Sequence, residues 1–425
     1  IVAPPRLLTG MNMEDLDSIV TDGIQKYPES DTNGNTALIP GHMSQAELQQ
    51  ALGRIGRFKD GVMVLCSDMT YNSRPAVMVP EVERLSSLPL ALGLVCLERN
   101  PLKVNFCNQP KDLRGSMERL HEWDFVDDLY QVNEIGKLAN QLEIRPDVAN
   151  FVLGVWTDEQ SSVETTALAV ITAAVIEGGS IAFRFPKDEN GNEMLAPLLN
   201  GTSDIFNEVA RFLQAVQWDK ERTKNARWVS LRGLRRCRGG VYRLLRRLRD
   251  DELSEYFDSI FNEDKEAKQA AWKTIGRRME YVFKQEREVI VRHLIRTMGS
   301  KKLYQAIPGY RGIDGHDISG LPTPIGNHSR ALVGTGQLFM ANTITIQTQR
   351  GGLLDLLVDV TTVTISELTD ALPDVFQTSI SATPNRAIGG GTTTERQLLV
   401  NGDVFHIDRR FQSSDVEAEI AELFG

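Results

Sequence analysis

The chain has 425 residues, 41% of them hydrophobic, and a formal net charge of −10. That is apolar material for about three packed domains, which excludes a disordered protein. An acidic balance also excludes a uniformly basic surface, so any polyanion must meet a local concentration of cations. The four cysteines, Cys66, Cys96, Cys107 and Cys237, form no CxxC pair, and the six histidines show no HExxH spacing. Reduced thiols in an intracellular compartment (cytoplasm, nucleus or organelle matrix) and no metal site are therefore expected. The longest apolar run, ALAVITAAVI at 167–176, is far shorter than the roughly 20 residues a bilayer demands. It predicts a buried helix and no membrane partner.

In chain order, the opening IVAPPRLLTG has no basic stretch followed by an apolar one and reads as an entry into the middle of a domain. Short apolar runs at 18–20 and 61–66 predict strands of an α/β unit. Between them Asn33-Gly34 predicts a hairpin, because both central positions of a type I′ turn need positive φ. Ser44 with Glu47 forms a capping box for a helix that leads into ALGRIGRF, residues 51–58. There Arg54 and Arg57 stand three apart among glycines. They are either surface arginines beyond a helix C-cap or a clamp for a phosphate chain.

Residues 69–135 change character. Pro75, Pro80, Pro89, Pro101 and Pro110 punctuate short helices. Leu113, Met117 and Leu120 then follow at helical spacing, with a strand-like piece at 129–132. Helix, hairpin, helix is a winged-helix pattern. Residues 136–300 are expected to be mostly helical, with clear periodicity at 204–215 and 241–248. Residues 301–382 switch to Gly/Pro turns and β-branched runs at 338–347 and 356–365, predicting a small antiparallel barrel or sandwich. Gly389-Gly390-Gly391 followed by TTTER reads as a flexible arm, residues 383–425.

The densest basic stretch is 220–249, KERTKNARWVSLRGLRRCRGGVYRLLRRLR. Arg232, Arg235, Arg236 and Arg238 crowd one or two turns, interleaved with Trp228 and Tyr242. Unless countercharged, such arginines repel one another, which makes sense beside a polyanion. The other reading is an exposed helix paired with the acidic segment at 250–264. His121 and Glu122 fall in a winged-helix packing phrase and read as structural.

QALGRIGR at 50–57 resembles motif VI of superfamily 2 helicases, QRxGRxGR. LLTGMNMEDLDSIVTDG before it resembles motif V, with Thr9 at the threonine position. QPKDLRGSMERLHEWDFVDDLYQVNEIGKLANQLEIRPDVANFVL resembles the winged helix and first ratchet segment of DEAH/RHA-type helicases. DIFNEVARFLQAVQ and the arginine-rich stretch are similar to later ratchet helices. GYRGIDGHDISGLPTPIGNHSRALVGTGQLFMANT is similar to that family's OB-like domain, with Asn327-His328-Ser329-Arg330 where its HPSS-like residues sit.

The resemblance implies a multidomain α/β plus mainly α chain: a partial RecA-like lobe at 1–68, a winged helix at 69–135, a helical ratchet bundle at 136–300 and an OB-like β-barrel at 301–382. It implies nucleotide contact by Gln50, Gly53, Arg54 and Arg57, the two arginines acting on phosphates, one of them as an arginine finger. It implies RNA contact by Thr9, by a strand-separating hairpin at Asn33 and Gly34, by Arg232, Arg235, Arg236 and Arg238, and by His328 and Arg330. The implied partners are ATP with Mg²⁺, a single RNA strand held without sequence preference, a first RecA-like lobe on this or another polypeptide, and an accessory or ribonucleoprotein component. Departures are plain. The sequence has no GxxxxGK[ST] loop and no DExH box, Ala51 replaces the first motif VI arginine, and Pro4, Pro5 and Leu8 stand where motif V is usually polar. The first lobe is expected to be supplied from outside these residues.

Overall fold

The computed structural model describes residues 17–30, 36–53, 55, 60–179, 181, 202–218, 229–309, 312–326, 329, 331–347, 353–385 and 391–412. Over these it is a mixed α/β chain with twelve helices and several sheets. It divides into two compact units, Ile1–Leu120 with Thr343–Leu356, and His121–Asn342 with Leu357–Gly425.

In the first unit, β1 (Ser18–Thr21) and β4 (Val62–Leu65) pair in parallel, Ser18 opposite Val62. Between them β2 (Ile24–Ser30) and β3 (Thr36–His42) form an antiparallel ribbon running from Ile24↔His42 to Ser30↔Thr36. The ribbon leads into α1 (Gln45–Leu52), whose N-cap is Ser44 with a complete Ser44–Glu47 capping box, as its sequence predicts. Short helices follow at α2 (Glu81–Arg84), α3 (Leu88–Cys96) and α4 (Leu113–Glu122).

The second unit begins with a tight turn. The strand-like reading of 129–132 is corrected here. Only Val126↔Val132 form a bridge, because Asp127 Oδ1 accepts the amides of Leu129 and Gln131 and curls the chain back on itself. The helices α5 (Glu134–Gln141), α6 (Pro146–Trp156), α7 (Val163–Gly178), α8 (Asp204–Gln217), α9 (Leu231–Leu248), α10 (Asp251–Tyr256) and the 34-residue α11 (Lys265–Met298) make a bundle. α7 carries the apolar run and is buried on every side, as a helix apolar all round must be. The hydroxyl of Thr172, inside it, donates to Leu168 O at 2.8 Å, so no polar group is stranded. α9 lies close against α7 because small residues meet. A Cβ on Gly240 would sit 3.0 Å from Ala174 Cβ, and one on Gly178 would sit 2.5 Å from Cys237 Sγ.

The β strands β5 (Leu303–Gly309), β6 (Gly312–His316), β7 (Pro322–Pro324), β8 (Leu338–Gln347) and β9 (Leu353–Val363) form a sheet of order 7-6-5-8-9. A parallel bridge, Ile325↔Leu357, joins its two edges, so the sheet closes. Its interior holds Tyr304, Ala306, Phe339, Ala341, Leu357 and Val360. Asp204, the first residue of α8, ties the bundle to this barrel by accepting the amides of Ala331 and Val360, each at 3.0 Å. Then come α12 (Ile365–Ala371) and an antiparallel meander of β10 (Phe376–Asn385), β11 (Gly391–Val400) and β12 (Asp403–Gln412). The expected C-terminal arm is corrected by this meander. Its threonine-rich run, TTTER, lies in β11, where β-branched residues fit a pleated surface. A second Asn-Gly pair turns β11 into β12. Asn401 and Gly402 both have positive φ, 52° and 91°, between paired Val400 and Asp403.

Candidate functional site

Two places in the fold bear on the sequence expectations. In the first unit, α1 is gripped at its start. Glu47 Oε2 accepts from Ser44 N at 2.8 Å, Ser44 Oγ at 2.9 Å and Tyr27 Oη at 2.7 Å. Burial, together with the Glu47 carboxylate, pushes the Tyr27 phenol well above its ordinary range. The first-turn amides of Gln45 and Ala46 donate to Pro75 O and Ala76 O. Behind them lies Arg74, 3% exposed. Its guanidinium donates to Gly23 O (2.8 Å), Met43 O (3.0 Å), Ser67 Oγ (2.8 Å) and Met69 O. No carboxylate pairs with it among the described residues. Gly23 has φ +65°, and a Cβ there would fall 2.7 Å from Arg74 Nη2. A glycine is needed on both counts.

The other end of α1 presents Gln50 and Gly53, both exposed. Gly53 caps the helix with φ −66°, its amide reaching Gln49 O at 2.9 Å. Any residue adopts that φ, so the cap itself does not require a glycine. Ile55, 4% exposed, anchors the chain just past the cap. Arg54, Arg57, Thr9, Asn33, Gly34, His328 and Arg330 lie outside the described residues, as does Trp228. The strands on either side of Asn33 and Gly34, β2 and β3, pair antiparallel.

In the second unit, α9 starts at the Ser230 cap and ends at Arg249, whose φ of 52° turns the chain into α10. Its buried side is Gly233, Leu234, Cys237, Gly240, Val241, Leu244, Leu245 and Leu248. The opposite side carries Arg232, Arg235 and Arg236, all exposed, and continues to Arg243 and Arg246. The steps from Arg232 are +3, +4, +11 and +14, which lie on one helical face. Among the described residues no carboxylate pairs with any of the five. The acidic segment at 250–264 does not neutralise them.

Arg238 is corrected out of this group. It falls on the flank of α9, with its guanidinium 5.4 Å from the Trp272 ring centroid and hydrogen-bonded to Gln269. Burial lowers its pKa from the ordinary arginine range. Tyr242 is likewise no stacking platform. Its hydroxyl donates to Ile260 O at 3.0 Å and accepts from Trp272 Nε1 at 3.1 Å. Arg243 and Arg246 were legible from the same periodicity that the sequence reading applied only to the first turns.

Other chemistry is sparse. Burial pushes the Cys237 thiol up to about 11, so it is an inert core group. His121 pairs with Asp128 at 2.9 Å, both side chains exposed. A cavity of about 400 Å³ in the second unit is lined by residues that include Arg145, Asp147, Asn207, Glu208, Arg211 and Asp359. None of the residues expected from sequence to act lines it. Among the described residues there is no cluster of three or more metal-ligating side chains, and no helix is long and apolar enough to cross a membrane.

An N-capped helix beside a parallel strand pair, followed by a helical bundle and a closed five-stranded barrel, is an arrangement similar to that of solved helicase structures. Solved structures of that class match the chain along nearly its whole length. The Escherichia coli DExH-box NTPase HrpB matches with a TM-score of 0.56 and 16% identity, over 97% of this chain and 41% of that one. A second structure, of the Escherichia coli DEAH/RHA helicase HrpB, gives 0.55 and 16% over 98% and 42%. The chain thus spans about two-fifths of the length of the structures it matches. No family model and no curated protein sequence matches it.

Proposed function

We propose that this chain is the C-terminal portion of an ATP-dependent RNA helicase of the DEAH/RHA type, coupling nucleotide hydrolysis to unwinding or to remodelling of RNA–protein complexes. The observation that carries this reading is the fold likeness across 97% of the chain to a DExH-box NTPase. It gains support from the motif VI-like sequence that follows the capped helix α1. Arg54 and Arg57 would then reach a nucleotide's phosphates, with Gln50 and Gly53 beside them. This sequence holds no phosphate loop and no Mg²⁺ carboxylate motif, so ATP and Mg²⁺ would be held jointly with a first RecA-like lobe.

In this reading residues 69–135 are a winged helix and 136–300 a ratchet. Residues 301–382 are an OB-like barrel, which the strand order and the Ile325↔Leu357 closure favour. RNA would be met by Thr9, the Asn33-Gly34 hairpin, His328, Arg330 and the exposed arginines Arg232, Arg235 and Arg236.

The test is RNA-stimulated ATP hydrolysis by the full-length polypeptide that contains this chain. Arg57→Ala is expected to cost about 10³-fold or more in kcat, the range of an arginine finger. Full activity in that variant would end the reading. A second reading is a catalytically inactive, helicase-like RNA scaffold within a ribonucleoprotein or viral complex. It is favoured by Ala51 in motif VI and by Pro4, Pro5 and Leu8 in motif V. It expects RNA binding with no hydrolysis at all.

A further inference from the structure

The cavity of about 400 Å³ in the second unit contains a group that the fold does not account for. One face of α8 forms part of its lining. Asp204, Asn207, Glu208 and Arg211 follow one another at steps of +3, +4 and +7 from the first, so they share a helical face, and all four line the cavity. Three of them are engaged. Asp204 accepts the amides of Ala331 and Val360. Glu208 pairs with Arg211 and accepts the amide of Ile181 at 2.9 Å. Asn342, elsewhere in the lining, accepts from Lys302 at 2.8 Å and donates to Asp359 at 3.0 Å. Asn207 is different. It is 1% exposed, and neither its Nδ2 nor its Oδ1 has a hydrogen-bond partner among the described residues. Buried polar groups are nearly always paired, because burial takes their water away. Whichever way round this amide sits, it offers a donor next to an acceptor. Phe151, Val175 and Leu294, all buried, give the cavity an apolar wall. A molecule that answers both needs a flat apolar body with a donor beside an acceptor on its edge. Adenine has that edge, an exocyclic amino group beside a ring nitrogen, and asparagine pairs with it through two bonds. The volume lies within the range of small-molecule sites.

We propose that this cavity binds an adenine base, held at its amino group and neighbouring ring nitrogen by the Asn207 amide, with its ring against the apolar wall. A free adenine nucleoside or nucleotide and an adenine of an RNA strand present the same edge, and the experiment separates these sources. Gln50 and Gly53, expected to meet a nucleotide, belong to the first unit, so the site in the second unit does not depend on the helicase reading.

The experiment titrates adenosine into the full chain by calorimetry, with purine riboside, which lacks the amino group, as the matched control. Adenosine is expected to bind, and purine riboside to bind about tenfold more weakly, the worth of one hydrogen bond. Asn207→Leu nearly keeps the side chain's shape and removes both polar atoms. It should weaken adenosine about a hundredfold, for two lost bonds, and melt at or above the parent temperature, because a buried unpaired amide is gone. Should that variant fold poorly, the comparison of the two nucleosides on the parent chain decides. Displacement of adenosine by an oligoadenylate strand upholds the site and makes a strand base its occupant. Displacement by adenosine 5′-monophosphate and not by the strand upholds it for a free nucleotide. Equal binding of purine riboside, or equal binding of adenosine by Asn207→Leu and parent, overturns the proposal. No binding of adenosine also overturns it, making the cavity a solvent-filled space and leaving the RNA reading standing.

Discussion

Arg74 is a buried cation with no carboxylate partner among the described residues, and two effects oppose each other when it is replaced. Removing the guanidinium relieves a desolvation cost of several kcal/mol, and replacing buried charges by apolar side chains is often neutral or stabilising. Against this, Arg74→Met leaves the carbonyls of Met43 and Met69 without the donors they have at 3.0 and 3.2 Å. Gly23 O is spared, because it also accepts the Met43 amide at 2.8 Å. Two stranded carbonyls cost about 1–3 kcal/mol each, and the lost charge-assisted bonds add to this. A net local loss of about 3 kcal/mol is expected, roughly a hundredfold in an opening equilibrium. The assay is native-state hydrogen exchange at Met43, Gln45 and Ala46, whose amides bond to Gly23 O, Pro75 O and Ala76 O. All three should exchange about a hundredfold faster, with Arg74→Lys intermediate. Unchanged or slower exchange would refute the reasoning and make the guanidinium a burden that an apolar chain carries as well.

Arg238→Ala should lower the melting temperature by loosening the Trp272 contact and leave the salt slope of RNA binding unchanged, whereas Arg235→Ala should do the reverse; thermal melts and anisotropy separate the two. Gly178→Ala places a methyl 2.5 Å from Cys237 Sγ and should destabilise the bundle by about 1–3 kcal/mol, the overpacking range, read by chemical denaturation. His293, 3% exposed, holds Asp158 at 3.0 Å beside Arg292. Burial lowers its pKa, so the unfolded chain takes up the proton first and this stability, present above pH about 6.5, is lost as pH falls. Burial opposes ionisation of Asp158, but the Gln160 amide, His293 and Arg292 outweigh it and keep its pKa low; its contribution is likewise lost toward acid. Melting temperature should therefore drop on acidification, and less steeply in His293→Gln.

What could be read from the sequence was what neighbours in the chain decide. The Ser44–Glu47 capping box is a four-residue event, and the helix at 167–176 follows from an apolar run that can only be buried. The strands at 18–21 and 62–65 announce themselves by their own side chains. What escaped depends on distant partners. Nothing in LRGLRRCRGG says that Arg238 and not Arg235 turns toward a tryptophan on α11. That is set by which face of α9 meets α7 and α11. The turn at 127–131 was misread because one aspartate carboxylate captures two amides that a strand would have used. The β11–β12 hairpin was missed for a different reason. Three glycines suggest a flexible stretch, yet the threonines after them and the Asn401-Gly402 turn make paired strands. At the candidate site, the face on α9 was legible as charge, but the engagement of Tyr242 was not, because it is written in Trp272 and Phe261.

The three-stranded meander at the end of the chain has a practical reach beyond architecture. Phe376, Leu398 and Val400 are each at most 2% exposed. β10 has β11 as its one strand neighbour in that sheet. A truncation after residue 382, where composition suggests a dispensable tail begins, would strip away that neighbour and bare a ready template for chain-to-chain pairing. Shortened versions of the polypeptide should precipitate on expression, while those that keep the segment through residue 412 should stay dispersed.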